Sequence, residues 1–274
     1  MRLTTEESDE LIAYARVCGG AAGNRCLYPA ADAEHRPRLT SACGFQWFDG
    51  KRLMRDVSGR YGLMDMIYLL GGPPRVGKST ISRAILREHG ISVVSTDSLG
   101  AVLENVSRPE AEPGLFVFAR LNERPAEDRI KLMLENTAEL INYTVDESRA
   151  VWKAVKPFIL KEEDEGRDVL IEGVAVLPEL VGQLENVDYR VVFIANQGNE
   201  HKENIKKGAD NNEHDWMRHA SSEYINAFAT FVMRMSAYIE QEAHKYGFSY
   251  IEMDGRSFQD IAGAVVESLG LKAR

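Results

Sequence analysis

Eight consecutive residues carry the clearest chemistry in the sequence. Gly72-Pro73-Pro74-Arg75-Val76-Gly77-Lys78-Ser79 fits G-x-x-x-x-G-K-[ST] at every fixed position. Phosphate oxygens carry dense negative charge, which backbone N–H groups and a helix N-terminus solvate well, and glycines let the backbone come close. In such a Walker A loop Lys78 supplies a point charge at the β- and γ-phosphates, and the Ser79 hydroxyl can ligate Mg²⁺. Thr80, the next residue, reaches the α-phosphate. Arg75 sits at a variable position, where it can touch the γ-phosphate or an acceptor. The loop from Gly72 to Thr80 therefore predicts a bound nucleotide.

A nucleotide site does not by itself define a reaction, so the acids and cations that follow matter. Asp97 stands at the carboxyl end of an apolar segment, the edge that faces the ligand crevice in an open α/β sheet. There it can accept an acceptor's proton or help order Mg²⁺-bound water. The alternative is a helix N-cap, since Asp before Ser-Leu-Gly also starts a helix well. Ser95 and Thr96 read as strand-end hydrogen-bonding residues. Glu172 ends Val169-Leu170-Ile171, with Gly173 leaving room behind it. It is a candidate for holding Mg²⁺ through water or for positioning the nucleophile, and so joins Ser79 and Asp97 as a potential metal contact. Lys202, Lys206, Lys207 and Arg218 lie in a later charged segment. They could offset charge on a transferred phosphoryl group. Glu200, Glu203, Asp210, Glu213 and Asp215 interleave with them, which equally fits a solvated face. Arg234 is flanked by Phe231, Val232, Met233 and Met235, so it needs either a bound phosphate or a salt bridge within the fold.

The elements that position these residues are regular from residue 66 onward. MIYLLGG is a short apolar run ending in glycines, the pattern of a buried parallel strand, and residues 79–90 form a helix stopped by Gly90. Residues 91–97, 168–176, 188–196 and 248–255 supply four more strands. A helical stretch over 126–164 is broken near Pro157, and long amphipathic and closing helices cover 223–247 and 257–270. Alternating strands and helices predict an α/β protein with a five-stranded parallel sheet flanked by helices. The charged segment lacks a continuous apolar face, and His201, His214 and His219 read as surface residues of it. Asp254-Gly255-Arg256-Ser257 follows the last strand, where a nucleotide base commonly packs in this class of fold.

Composition sets the outer bounds. The chain has 274 residues and a net charge of −9, so no global basic field exists to hold nucleic acid. No stretch reaches the roughly 18 apolar residues of a membrane span. Three cysteines argue against a disulfide scaffold, and acids occupy the place where a leader needs an apolar run, so a cytoplasmic protein is expected. Cys18, Cys26, His35 and Cys43 lack the tight spacing of a zinc knuckle. Residues 1–63 read as an extension separate from a domain over 64–274. Within it, 4–17 suggests a short amphipathic helix and the next stretch a Gly/Ala/Pro-rich loop. Phe45, Trp47 and Phe48 precede Lys51, Arg52 and Arg55, and they read as packing residues without a recognisable fold.

Several nucleotide-binding classes are unsupported. The chain has no N/T-K-x-D base-reading tetrapeptide and no LSGGQ-like signature, and its third core strand ends in Glu172-Gly173 rather than in Asp or Asp-Glu. GGPPRVGKSTISRAIL, STDSL (95–99) and LIEGVAVLP (170–178), with Tyr224-Ile225, Phe228, Arg234 and Tyr238, resemble the P-loop kinases related to 2-phosphoglycerate kinase. More broadly the order is similar to nucleoside monophosphate kinases, uridine kinases and the zeta-toxin group. The resemblance covers about residues 66 to 270. It implies a P-loop NTPase fold with a helical lid, ATP and Mg²⁺ as cofactors, and phosphoryl transfer to a hydroxyl or phosphate of a small molecule, 2-phosphoglycerate-like acceptors included. It implies Lys78, Asp97, Glu172, Arg218 and Arg234 as catalytic candidates. A nucleotide kinase or an antibiotic-inactivating phosphotransferase remains open, as does a regulatory module that binds ATP without turnover.

Overall fold

The computed structural model describes residues 46–48, 51–55, 61–63, 66–198, 201–211, 213 and 215–271. The helix expected over 4–17, the four zinc candidates, Phe45, Glu200 and His214 lie outside the described residues.

Ile67–Gly71, Ser92–Ser95, Val169–Gly173, Tyr189–Ala195 and Ser249–Glu252 (β4 to β8) form one parallel sheet in the order β5-β6-β4-β7-β8. β1 to β3 precede them in the chain and are described below. Every residue of β4 and of β6 is buried. That is why these segments read as unbroken apolar runs rather than alternating ones: helices cover both faces of the sheet. Lys78–His89 (α1) packs on β5 and β6. Thr96–Val106 (α2), Thr137–Asp164 (α5) and Ser222–Tyr246 (α8) form another layer, and Phe258–Ser268 (α9) packs on β7, β8 and α1. Val117–Asn122 (α3), Ala126–Glu135 (α4), Pro178–Val181 (α6) and His201–Asp210 (α7) complete the order. The strand bearing the phosphate loop is central, and register sets Leu70 and Ser95 on either side of Glu172. The architecture is the α/β P-loop NTPase fold, as the sequence predicts.

Helix ends follow local chemistry. Ser221 Oγ accepts from the Tyr224 N–H at 3.1 Å and Ser257 Oγ from the Asp260 N–H at 3.2 Å, each satisfying an otherwise orphan donor. α8 stops at Gly247, whose positive φ of 70° suits glycine.

Three features differ from the sequence reading. The helical stretch over 126–164 is two helices that part at Asn136, while α5 runs through Pro157. Pro157 costs the Lys153 carbonyl its usual i+4 donor, but both residues are on an exposed face, where water serves instead. The charged segment does have an apolar stripe: α7 buries His201, Ile205 and Ala209 at successive turns. Finally, Gln46–Phe48, Lys51–Arg55 and Tyr61–Leu63 (β1 to β3) form a three-stranded antiparallel sheet of their own, which the sequence reading leaves without a fold. Phe48 pairs with Lys51, and the sequence between them, Asp-Gly, is a pattern common between paired strands.

Candidate nucleotide and phosphoryl-transfer site

A cavity of about 730 Å³ opens at the carboxyl edge of the sheet, lined by the loop from Pro74 to Thr80 and by Asp97, Glu172 and Gly173. Gly72 is required by close packing: a Cβ there would meet the Ile194 carbonyl oxygen at 2.1 Å. α1 begins directly after Gly77, so its first N–H groups point along the loop.

Lys78 is buried, and its ammonium donates to the carbonyls of Gly72 at 3.0 Å and Pro73 at 2.7 Å. Burial pulls its pKa down to about 8, against the nearby charges of Glu172 and Asp97. Ser79 donates its hydroxyl to Glu172 Oε1 at 2.9 Å. Glu172 is itself buried, so a solvent-facing strand end does not describe it. Burial raises its pKa, while Lys78, the Ser79 hydrogen bond and Arg83 oppose the rise and Asp97 adds to it. Gly173 follows at φ 152°, and a Cβ there would strike Thr96 Oγ1 at 1.8 Å, so the residue after the acid must be glycine.

Asp97 is exposed to the cavity from the first turn of α2. Its capping alternative does not hold: Ser95 is the N-cap and accepts from the Asp97 N–H at 3.2 Å. Ser95 thus serves as expected, whereas Thr96 Oγ1 is buried without a hydrogen-bond partner.

Of the two readings open for the lid cations, the described residues show the solvated face. His201, Asn204, Ile205 and Gly208 are the α7 residues that line the cavity. Lys202, Lys206 and Lys207 are exposed and absent from that lining, because the helical repeat that buries His201, Ile205 and Ala209 turns them outward. Arg218 is exposed outside the cavity in the turn after α7. Arg234 also lies outside it: its Nη1 donates to Thr137 Oγ1 at 2.6 Å and the Leu134 carbonyl at 3.2 Å, so it tethers α8 to the junction of α4 and α5. Among the described residues its acceptors are neutral groups at a helix end, with no salt bridge. His201 is no surface residue either. It is buried, with both ring nitrogens unpartnered among the described residues, and burial pulls its pKa down to about 4 against the opposing charge of Glu252.

The structure also adds residues. Arg83, one turn beyond Ser79, lines the cavity. Asp215 and Trp216 line it beside Arg75: Asp215 pairs with both terminal nitrogens of Arg75, and the guanidinium carbon is 5.5 Å from the Trp216 ring centre. Met253, Phe258 and Ile261 supply apolar surface after β8, and of Asp254 to Ser257 only Arg256 joins them. Among the described residues no cluster of three His, Cys, Asp or Glu could hold a metal unaided, and no helix is long and apolar enough to cross a membrane.

Sheet order, phosphate loop and the two carboxylates define a protein of the P-loop NTPase fold that resembles the small-molecule kinases. No family model matches the chain. It is similar to the 2-phosphoglycerate kinase of Pyrococcus furiosus, 26% identical over 188 residues, covering 68% of this chain and 59% of that one. It is 31% identical over 131 residues to the 2-phosphoglycerate kinase of Pyrococcus horikoshii, covering 47% of this chain and 42% of that one. The chain thus spans about half the length of the curated relatives it matches. Among solved structures, shikimate kinase from Bacteroides thetaiotaomicron aligns at a TM-score of 0.39 and 11% identity, covering 75% of this chain and 96% of that one. Dephospho-CoA kinase from Campylobacter jejuni aligns at 0.35 and 14%, covering 74% and 94%.

Proposed function

We propose that the protein is a Mg-ATP-dependent kinase that phosphorylates a hydroxyl or phosphate of a small molecule, with 2-phosphoglycerate the first acceptor to test. The observation that carries this reading is the grouping of Lys78, Ser79, Glu172 and Asp97 around one cavity at the sheet's carboxyl edge. The curated relatives support the acceptor choice by their names.

The residues fit a nucleotide with its metal. Lys78 is a buried ammonium that donates to two loop carbonyls, whose place an anion can take. Glu172 is a buried carboxylate whose hydrogen bond comes from the very hydroxyl that a Walker A loop offers to Mg²⁺. Ser79 and Glu172 would hold the metal, Glu172 through water, and the loop from Gly72 to Thr80 would hold the phosphates. The bound Mg-ATP supplies the phosphoryl group and offsets its charge. Asp97 accepts the acceptor hydroxyl's proton from its place at the start of α2. Lys78 meets charge on the β- and γ-phosphates. The apolar surface of Met253, Phe258 and Ile261 takes the base, and α7 closes the cavity against water. We place the protein in the cytoplasm, with no nucleic acid or membrane as a partner.

The test is ATP consumption by the full chain against a panel of phosphoglycerates, nucleosides and nucleotides. Turnover with one acceptor, lowered by roughly 10²–10⁴-fold in Asp97→Asn, is expected. ATP binding without turnover on any acceptor would replace the kinase with a regulatory ATP-binding module.

A further inference from the structure

Arg75 lies in the phosphate loop at φ 66°, a left-handed conformation that a non-glycine residue adopts at a cost. An arginine there would ordinarily be a mobile cation that loses side-chain entropy on engaging a ligand. Here it is fixed from 140 residues away. Asp215 takes both Nη atoms in a fork-to-fork pair, and Trp216 stacks near the guanidinium. Asp215 is held in turn, since its Oδ1 accepts the Met217 N–H at 2.8 Å. Trp216 makes edge contacts with Tyr224 and Phe228 of α8. The pair therefore ties the phosphate loop to the segment that follows the lid helix, and all three side chains border the same cavity.

A carboxylate fork occupies two of the five guanidinium N–H groups and leaves three. The cation is thus oriented before any ligand arrives, with donors to spare. Lys78 lies deeper, bonded to the carbonyls at the loop's start. Resting on the ATP-binding part of the reading above, we infer that Arg75 meets the terminal phosphate of the nucleotide and that Asp215 is the positioning residue that aims it. The consequence is discrimination: the site distinguishes a triphosphate from a diphosphate through a cation set by the segment after the lid.

Calorimetry of the full chain with Mg-ATP and Mg-ADP tests this without any acceptor. Arg75→Ala should lower the ratio of ATP to ADP affinity about 10-fold, the usual scale of one charge-assisted hydrogen bond. Asp215→Asn should lower the ratio about 3- to 10-fold, and Asp215→Glu should restore most of it. The double variant Arg75→Ala/Asp215→Asn should be no worse than Arg75→Ala, because one residue acts through the other. Arg75→Lys keeps the charge but not the fork, and should not rescue. Thermal melts accompany each variant. If Asp215→Asn fails to fold, the Arg75 variants decide: an unchanged ATP to ADP ratio in Arg75→Ala overturns the inference. So does a wild-type ratio in a folded Asp215→Asn, or a rise in its ATP affinity, which would make Asp215 a competitor of the phosphate. The two readings fail separately. A wild-type chain that binds neither nucleotide removes the nucleotide site and the inference with it. A chain that discriminates through Arg75 but phosphorylates nothing removes the kinase and leaves the pair.

Discussion

Ser79 and Glu172 are joined by a 2.9 Å hydrogen bond although 93 residues separate them in the chain. The bond is made possible by the pairing of β4 with β6, which sets Leu70 opposite Glu172 and so brings the acid level with the root of the phosphate loop. A buried carboxylate costs free energy unless its charge is offset, and here Lys78 and Ser79 offset it only in part, since its pKa stays raised. Glu172→Gln should therefore weaken the Mg²⁺ dependence of ATP binding and lower turnover. Binding titrations with and without Mg²⁺ check the first point, and steady-state kinetics the second. A Glu172→Gln variant with wild-type Mg²⁺ dependence rules out the metal role.

Lys78→Ala removes a buried cation from the loop. The expected loss of Mg-ATP affinity is about 10- to 100-fold, the scale of one hydrogen bond to a charged group. The same change should not destabilise the fold, because the lost ammonium is desolvated, with its pKa drawn down to about 8. Calorimetric titration and a thermal melt report the two effects separately. Unchanged affinity in a folded variant contradicts the phosphate-loop assignment.

Asp97 has no hydrogen-bonding duty for its carboxylate in the cap of α2, since Ser95 performs that task. Asp97→Asn should accordingly leave the melting temperature almost unchanged. Turnover should fall by roughly 10²–10⁴-fold, the range for losing a general base. ATP affinity should stay near wild type, because the loop is untouched. Steady-state kinetics with the accepted substrate decide the matter, and wild-type turnover in Asp97→Asn strips the residue of a catalytic role.

What could be read from residues alone divides along a physical line. β4, β6 and β7 announce themselves because a strand buried on both faces must be apolar throughout, and the phosphate loop is a contiguous chemical pattern. Glu172 was visible for the same reason, as an acid ending a run of Val169-Leu170-Ile171. Charge alone leaves the lysines of the lid open between phosphate contact and a solvated face; the recurrence of His201, Ile205 and Ala209 at i and i+4 decides for the solvated face by turning Lys202 and Lys206 outward. The pairing of β1 with β2 has a local signal in the Asp-Gly sequence between them. Arg83, Asp215 and Trp216 carried no such sign. Their places depend on tertiary approach across more than a hundred residues in the case of Arg75 and Asp215, and no local pattern encodes that approach.

Glu147 offers a test that concerns stability rather than turnover. It is half-buried on α5, and its pKa is raised to about 8, by burial first and then by the charges of Glu104 and Asp97. The folded chain therefore binds a proton at Glu147 that the unfolded chain, near 4.5, releases. Its contribution to stability is most favourable below the unfolded pKa. It is lost progressively as pH rises from about 4.5 to about 8, beyond which the folded state bears the full burden of a third carboxylate charge beside Asp97 and Glu104. Glu147→Gln keeps the shape of the protonated acid and cannot ionise. At pH 5 the variant and the wild type should melt at nearly the same temperature. At pH 8.5 the variant should melt several degrees higher, the shift expected of one to two kcal/mol in a chain of this size (about 2–4 °C per kcal/mol). Melting curves at the two pH values measure it. A difference of equal size at both would mean that Glu147 contributes by packing or hydrogen bonding, and that its charge in the folded chain is not the cause.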